Sequence, residues 1–168
     1  AARGAMSGLQ MAGAIGAMLL AFIGLIALLN GMLGSVGEGL GVENLTLEYL
    51  LGYLLQPLAW CLGVPWEEAQ LVGSLIGQKF ILNEFVAYVA FSDVMNQVTP
   101  KTEAISIFAL CGFANLSSIA ILLGGLGAIA PTRRDDISRF GFRALIAATL
   151  ANLMSAALAG FFLQLGGV

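Results

Sequence analysis

The stretch Trp66–Val98, WEEAQLVGSLIGQKFILNEFVAYVAFSDVMNQV, decides the fold. Ala69 to Leu82 is apolar but shorter than the roughly 20 residues a helix needs to cross a bilayer. Asn83-Glu84 interrupts it. A second short apolar run, Phe85 to Phe91, follows and ends at Ser92-Asp93. Two half-length apolar segments around a polar pair predict a re-entrant helical hairpin. Such backbone is tolerated at membrane depth only where protein or water surrounds it. One ordinary span with a buried glutamate is the competing reading, and periodicity alone does not separate the two.

That reading presumes a membrane, and the composition supplies it. Of 168 residues 59% are apolar and only 10% charged, with 7 Lys+Arg against 10 Asp+Glu. Mean hydropathy is +0.93. Soluble domains carry about a quarter charged residues, so this chain cannot dress an aqueous surface. With no His, His-based triads and His metal ligands are excluded. Cys61 and Cys111 stand far apart, so no CxxC pair, zinc site or disulfide framework is expected. Seven basic residues without a cluster argue against nucleic acid as a partner.

Outward from the hairpin, Gly4 to Gly37 carries no charge, and Gly13 to Leu33 is long enough to cross once. It is too long for a signal-peptide core and does not begin with Met, so the chain reads as a segment of something larger. Gly34 to Asn44 is Gly-rich and acidic and reads as a loop. Thr46 to Leu62 is interrupted by Glu48, Gln56 and Pro57, which predicts an interfacial amphipathic helix with Trp60 and Trp66 at headgroup level. Pro65 suits the first position of the next helix, with Glu67 and Glu68 in its first turn, where the dipole favours acids.

On the other side, Thr99-Pro100 reads as a cap and first helical residue. Ala104 to Thr132 is charge-free and spans, but its middle, Gly112-Phe-Ala-Asn-Leu-Ser-Ser118, predicts an unwound segment. Thr132 and Asp135 fit a capping box for the next helix, and Ala144 to Leu165 is the last span. Arg133, Arg134, Arg139 and Arg143 flank one loop, which is therefore expected on the cytoplasmic side together with Arg3. The expected parts are a membrane helix over 1–36, a loop and interfacial helix over 37–65, the hairpin over 66–98, a broken helix over 99–132, and a loop with the last helix over 133–168. The fold class is thus an all-α polytopic membrane protein with three spans.

Glu84 is the carboxylate most deeply set in apolar sequence. A charge there is costly, so it faces a cavity or a partner and marks a functional site by default. Its bland alternative is an ion pair with Lys79, about a turn away. Asn115, Ser117 and Ser118 form a second polar group. Helix–helix glue is the plain reading, and it is preferred for Ser117. For Asn115 and Ser118 the adjoining Gly112 points to a broken helix whose half-helix ends aim at a bound group. Phe113 offers a ring face to a planar ligand, although a membrane Phe more often packs. A carboxylate accepts from two adjacent hydroxyls, and Asn and Ser both donate and accept, which suits the vicinal hydroxyls of a sugar. The motif Gly73-x-x-x-Gly77 is expected to allow close packing within the hairpin. Gly124-Gly125-Leu126-Gly127 suggests another flexible stretch. Asp135 and Asp136 are expected as solvated loop acids paired with Arg133 and Arg134.

Three stretches carry a resemblance. Gly77-Gln-Lys-Phe-Ile-Leu-Asn-Glu-Phe-Val-Ala-Tyr88 resembles the second re-entrant hairpin of the concentrative nucleoside transporters. Ile107-Phe-Ala-Leu-Cys-Gly-Phe-Ala-Asn-Leu-Ser-Ser118 resembles that family's broken seventh helix, and Gly124 to Arg134 resembles the loop after it. The resemblance implies secondary active import of a nucleoside of the uridine, cytidine or adenosine type by alternating access. It implies a homotrimer in the inner (plasma) membrane, with residues 13–33 lining the trimer contact. Glu84, Asn115 and Ser118 would hold the ribose and Phe113 would lie by the base. Family members are about twice this length or more, so the chain is expected to be the C-terminal half of an inverted-repeat transporter. The coupling ion, Na+ or H+, is then expected to bind in the other half, with no metal site here. A structural or assembly subunit, with Glu84 and Lys79 merely paired, is the alternative. An intramembrane enzyme is disfavoured because Glu84 lacks an acid–base partner.

Overall fold

The computed structural model describes residues 2–42, 45–119, 121–122 and 131–167. Every regular element among them is helical. They divide into two units, residues 1–47 and 48–168.

The first unit is built on helix α1, Ala2–Leu40, of 39 residues. At 1.5 Å per residue it is about 58 Å long, longer than one crossing requires. Its window Ile23–Leu40 is apolar enough to span a membrane. Gly34 to Leu40, expected as loop, is therefore helical. The stop comes at Gly41, whose φ is 73°, a conformation only Gly takes without cost. Val42 N–H donates to Gly37 O at 2.9 Å and Gly41 N–H to Glu38 O at 3.4 Å, the paired bonds of a Schellman end. Gly residues inside the last turns cost helix propensity, but this terminal motif decides where the helix ends.

The second unit begins with α2, Leu47–Cys61, and α3, Trp66–Ile81, which meet at a bend of 116°. Gly63 (φ 99°) makes the turn, again with a Schellman pair: Val64 N–H to Ala59 O at 3.4 Å and Gly63 N–H to Trp60 O at 2.9 Å. Pro65 sits at the N-cap of α3, one residue earlier than expected, with Glu67 and Glu68 in the first turn. Trp60 and Trp66 meet edge to face across the bend, centroids 6.4 Å apart. Gly73 and Gly77 do allow close approach, but to α2 rather than within the hairpin. A Cβ at Gly73 would stand 2.7 Å from Gly52 O, and one at Gly77 would stand 2.7 Å from Leu51 Cβ.

Helix α4, Glu84–Val94, follows α3 after Leu82 and Asn83. It folds back along α3, so that Leu71 and Leu75 pack with Phe91, Val94 and Met95. With 16 and 11 residues, α3 and α4 reach about 24 and 16 Å, each too short to cross a ~30 Å hydrocarbon core. A 3-10 turn, Met95–Gln97, leads to α5, Pro100–Leu110. Thr99 caps α5 as expected, and its backbone N–H and hydroxyl donate to the Glu68 carboxylate at 3.1 and 3.0 Å.

The chain leaves helix over residues 111–115 and re-enters it at 116 as α6, described at 116–119 and 121–122. The expected continuation of this span, including Gly124 to Gly127, lies outside the described residues. After a 3-10 turn, Pro131–Arg133, α7 runs Arg134–Leu165, ten residues earlier than the apolar pattern begins. The capping box of Thr132 and Asp135 does not form. Arg133 occupies the N-cap without a side-chain cap and instead pairs with Asp136 at 2.5 Å, on the exposed surface. The N-cap falls one residue beyond the expected one, because Thr132 lies inside the 3-10 turn. The window Asp135–Leu165 of α7 is again apolar enough to cross.

The core joins α2, α3, α5 and α7 through Ala59, Val72, Ile76, Ile105, Ala109, Leu153 and Ala156. Small residues set the spacing: a Cβ at Gly160 would fall 2.6 Å from Ile105 Cδ1. Lys101 Nζ donates to Gln164 Oε1 at 2.8 Å, so the start of α5 lies at the end of α7.

Candidate functional site

Two interruptions of helix face each other in this unit. The first is the tip of the α3–α4 hairpin. Leu82 N–H closes α3 onto Gln78 O at 2.8 Å, and Asn83, in extended backbone, caps α4 by accepting from Val86 N–H at 2.9 Å. Glu84 is then the first residue of α4, where the positive end of the helix dipole favours a carboxylate. The second is the break between α5 and α6. Asn115 Oδ1 accepts from Ser118 N–H at 2.8 Å, so Asn115 is the N-cap of α6.

Side-chain hydrogen bonds join the two. Asn115 Nδ2 donates to Glu84 Oε2 at 2.9 Å. Asn115 is fully buried, at 0% exposure. Ser117 Oγ donates to Asn115 Oδ1 at 2.6 Å and reaches Leu82 O at 3.4 Å, tying α6 to the hairpin tip as glue. Ser118 Oγ donates to Asn115 O at 2.6 Å. Glu84 Oε1 takes no hydrogen bond among the described residues, so the carboxylate keeps acceptor capacity on the half-buried side. Glu84, Asn115 and Ser118 thus stand together. Phe113 stands apart from them in its bonding, with its ring 61% exposed.

Lys79 is not Glu84's partner. Among the described residues the ion pair within 4.0 Å is Arg133–Asp136. Lys79 instead donates from Nζ to Ala109 O at 2.7 Å, at the end of α5. Asn152 Nδ2 of α7 reaches the same carbonyl at 3.1 Å and Phe108 O at 3.2 Å. Tyr88 OH donates to Ile107 O at 2.9 Å. The orphan carbonyls that any helix end leaves are therefore met from three other helices. Gly112 belongs to this arrangement, because a Cβ there would overlap the Asn152 side-chain amide.

Of the residues singled out in the sequence, Gly112, Asn115 and Glu84 lie at the two interruptions; Tyr88 and Asn152 were not singled out, and the Glu84–Lys79 ion pair, kept only as the alternative, does not form. A lone Asn in an apolar helix was the available signal for Asn152. Nothing local marks the carbonyl that a side chain from another helix will reach. Among the described residues no cluster of acids or cysteines suits a metal ion.

Residues 1–160 match the family model described as "Na+ dependent nucleoside transporter C-terminus". The uncharacterized transporter YutK of Bacillus subtilis is 56% identical over 163 residues, 97% of this chain and 40% of its own length. The putative nucleoside permease NupX of Escherichia coli is 53% identical over 98% of this chain and 40% of its length. The solved structure of CNTnw in an inward-facing substrate-bound state superposes with a TM-score of 0.93 at 53% identity, covering 99% of this chain and 41% of that one. The chain therefore spans about two fifths of the length of these relatives.

Proposed function

The chain belongs to the Na+ dependent nucleoside transporter family, as its C-terminal part, and from that premise we propose that the full-length protein imports nucleosides by cation-coupled symport with alternating access. The family is one of transporters, not enzymes, and the chain is an all-helical membrane segment of it. The observation that carries the proposal is the Glu84–Asn115 hydrogen bond between the hairpin tip and the broken helix.

In this reading Glu84 Oε1 and Oε2 accept from vicinal ribose hydroxyls. Asn115 and Ser118 donate to or accept from the same hydroxyls, and Phe113 lies by the base. The substrate is a nucleoside of the uridine, cytidine or adenosine type. A charge-assisted hydrogen bond contributes about 1.5–3 kcal/mol, so each ribose hydroxyl is expected to strengthen binding by roughly 10- to 150-fold. Sodium is the coupling ion the family description supports, and its ligands are placed in the part of the protein outside these residues. The protein is a homotrimer in the inner (plasma) membrane, with α1 at the trimer contact and the Arg133–Arg143 region on the cytoplasmic side. The hairpin of residues 66–98 enters and leaves the bilayer from one side.

Uptake of radiolabelled uridine into proteoliposomes of the full-length protein tests the proposal. Accumulation that requires an inward sodium gradient is the expected result. Uptake absent under every cation gradient refutes it.

A further inference from the structure

The end of α5 is met by side chains from three other helices. Its last carbonyls lack intrahelical partners by geometry, and its negative dipole end seeks a cation. Lys79 supplies one. It is only 3% exposed, its ammonium lies 2.7 Å from Ala109 O, and no carboxylate among the described residues is close enough to pair with it. A buried charge without such a partner is costly, so the helix end is its counter-charge.

Lys79 sits on α3, one turn before the hairpin tip that carries Glu84. The same hairpin therefore touches both sides of the α5–α6 break. Its cation meets the carbonyl end of α5, and its anion meets Asn115, which caps the amide end of α6. Each charge matches the dipole end it faces. Asn152 and Tyr88 complete the carbonyl side.

We propose that Lys79 is a positioning residue, a built-in cation that fixes the end of α5 and thereby sets where Asn115 and Glu84 stand for ribose recognition. The inference rests on the nucleoside reading above for its consequence, but not for its geometry. When substrate hydroxyls engage Glu84, the bond from Asn115 must be shared or released. Lys79 does not touch that bond, so it keeps the break in register while the carboxylate is occupied. Loss of the ammonium frees the Ala109 carbonyl from its shortest donor and lets residues 111–115 shift.

The test uses the full-length protein in detergent or proteoliposomes, with uridine and 2′-deoxyuridine as probes. K79M removes the charge at similar length, K79R keeps it, and Y88F deletes one neutral donor at the same helix end. K79M is expected to weaken uridine binding on the order of tenfold and to shrink the preference for uridine over 2′-deoxyuridine. K79R is expected to restore part of both. Amide hydrogen exchange over residues 111–118 is expected to speed up in K79M without any ligand.

Wild-type affinity, preference and exchange in K79M overturn the inference. So does a K79M that weakens both probes equally while exchange stays unchanged, since that is a general structural effect. If K79M does not accumulate as folded protein, K79Q, which also removes the charge, decides by the same readouts: a smaller uridine preference with faster exchange supports the inference, and wild-type preference with wild-type exchange overturns it. Y88F, which leaves the ammonium in place, is expected to change the preference less than either. If the wild type itself binds no uridine, the nucleoside reading fails, and the exchange comparison alone then decides the role of Lys79.

Discussion

The two helix interruptions differ in what holds them. At the hairpin tip the bonds are local: Leu82 returns to Gln78, and Asn83 caps Val86. At the α5–α6 break local bonds also form, from Cys111 N–H to Phe108 O, from Ala114 N–H to Gly112 O and at the Asn115 cap, but they are not the whole of it. The carbonyl side is held by Lys79, Tyr88 and Asn152, from three other helices. A locally capped turn keeps its shape wherever the hairpin goes. A break held by tertiary donors keeps its shape only while α3, α4 and α7 remain packed around it. The part that tolerates movement and the part that senses packing thus meet where Asn115 bonds Glu84 and Ser117 reaches Leu82 O.

The largest way to break this contrast is Gly112→Ala. The added methyl would overlap the Asn152 amide, and overpacking of this kind costs about 1–3 kcal/mol. Thermal unfolding should show that loss, and uridine uptake by the full-length protein is expected to fall, because the segment before Asn115 must shift to relieve the overlap. Adding Asn152→Ala is expected to recover thermal stability but not uptake, because it removes the clash and the carbonyl donor together. At the tip, Asn83→Ala should cost about 1 kcal/mol through the lost cap, and Asn83→Ser should cost little because Ser caps as well. Thermal unfolding of both variants checks that local account. A stability effect of similar size, without any effect at the break, is expected at Thr99→Ala, which removes a cap and its contact to Glu68. It should lower stability by about 0.5–2 kcal/mol and leave the uridine preference unchanged. Smallest of all is Asp136→Asn. It deletes the exposed Arg133 pair and should change stability by less than about 1 kcal/mol, with no change in uptake.

The same contrast explains what was legible in the sequence. Polar residues that cap their own helix announce themselves by position, as Asn83, Thr99 and Asn115 do, and Gly112 marks where helix fails. Half-length apolar runs around Asn83-Glu84 gave α3 and α4. The extent of α1 and α7 was less legible, because hydropathy marks where a helix can be buried and not where it ends. Gly41 ends α1 through its positive φ, and α7 continues into polar sequence that periodicity does not reject. The partner of Gly73 and Gly77 was misread, because a small-residue stripe tells that a backbone approaches but not which one. For Lys79 the sequence offered only an alternative, a pair with the nearest carboxylate. The structure gives it a carbonyl 30 residues away, a long-range contact that no local pattern encodes.

The most direct measurement is a double-mutant cycle between protein and ligand. Competition against radiolabelled uridine by uridine, 2′-deoxyuridine and 3′-deoxyuridine is measured for wild type and for Glu84→Gln in the full-length protein. The account predicts that each missing hydroxyl weakens binding to the wild type by roughly 10- to 150-fold, and that Glu84→Gln loses most of this discrimination while remaining folded. Deoxy analogues that compete as well as uridine, or a Glu84→Gln variant that discriminates like the wild type, would contradict it.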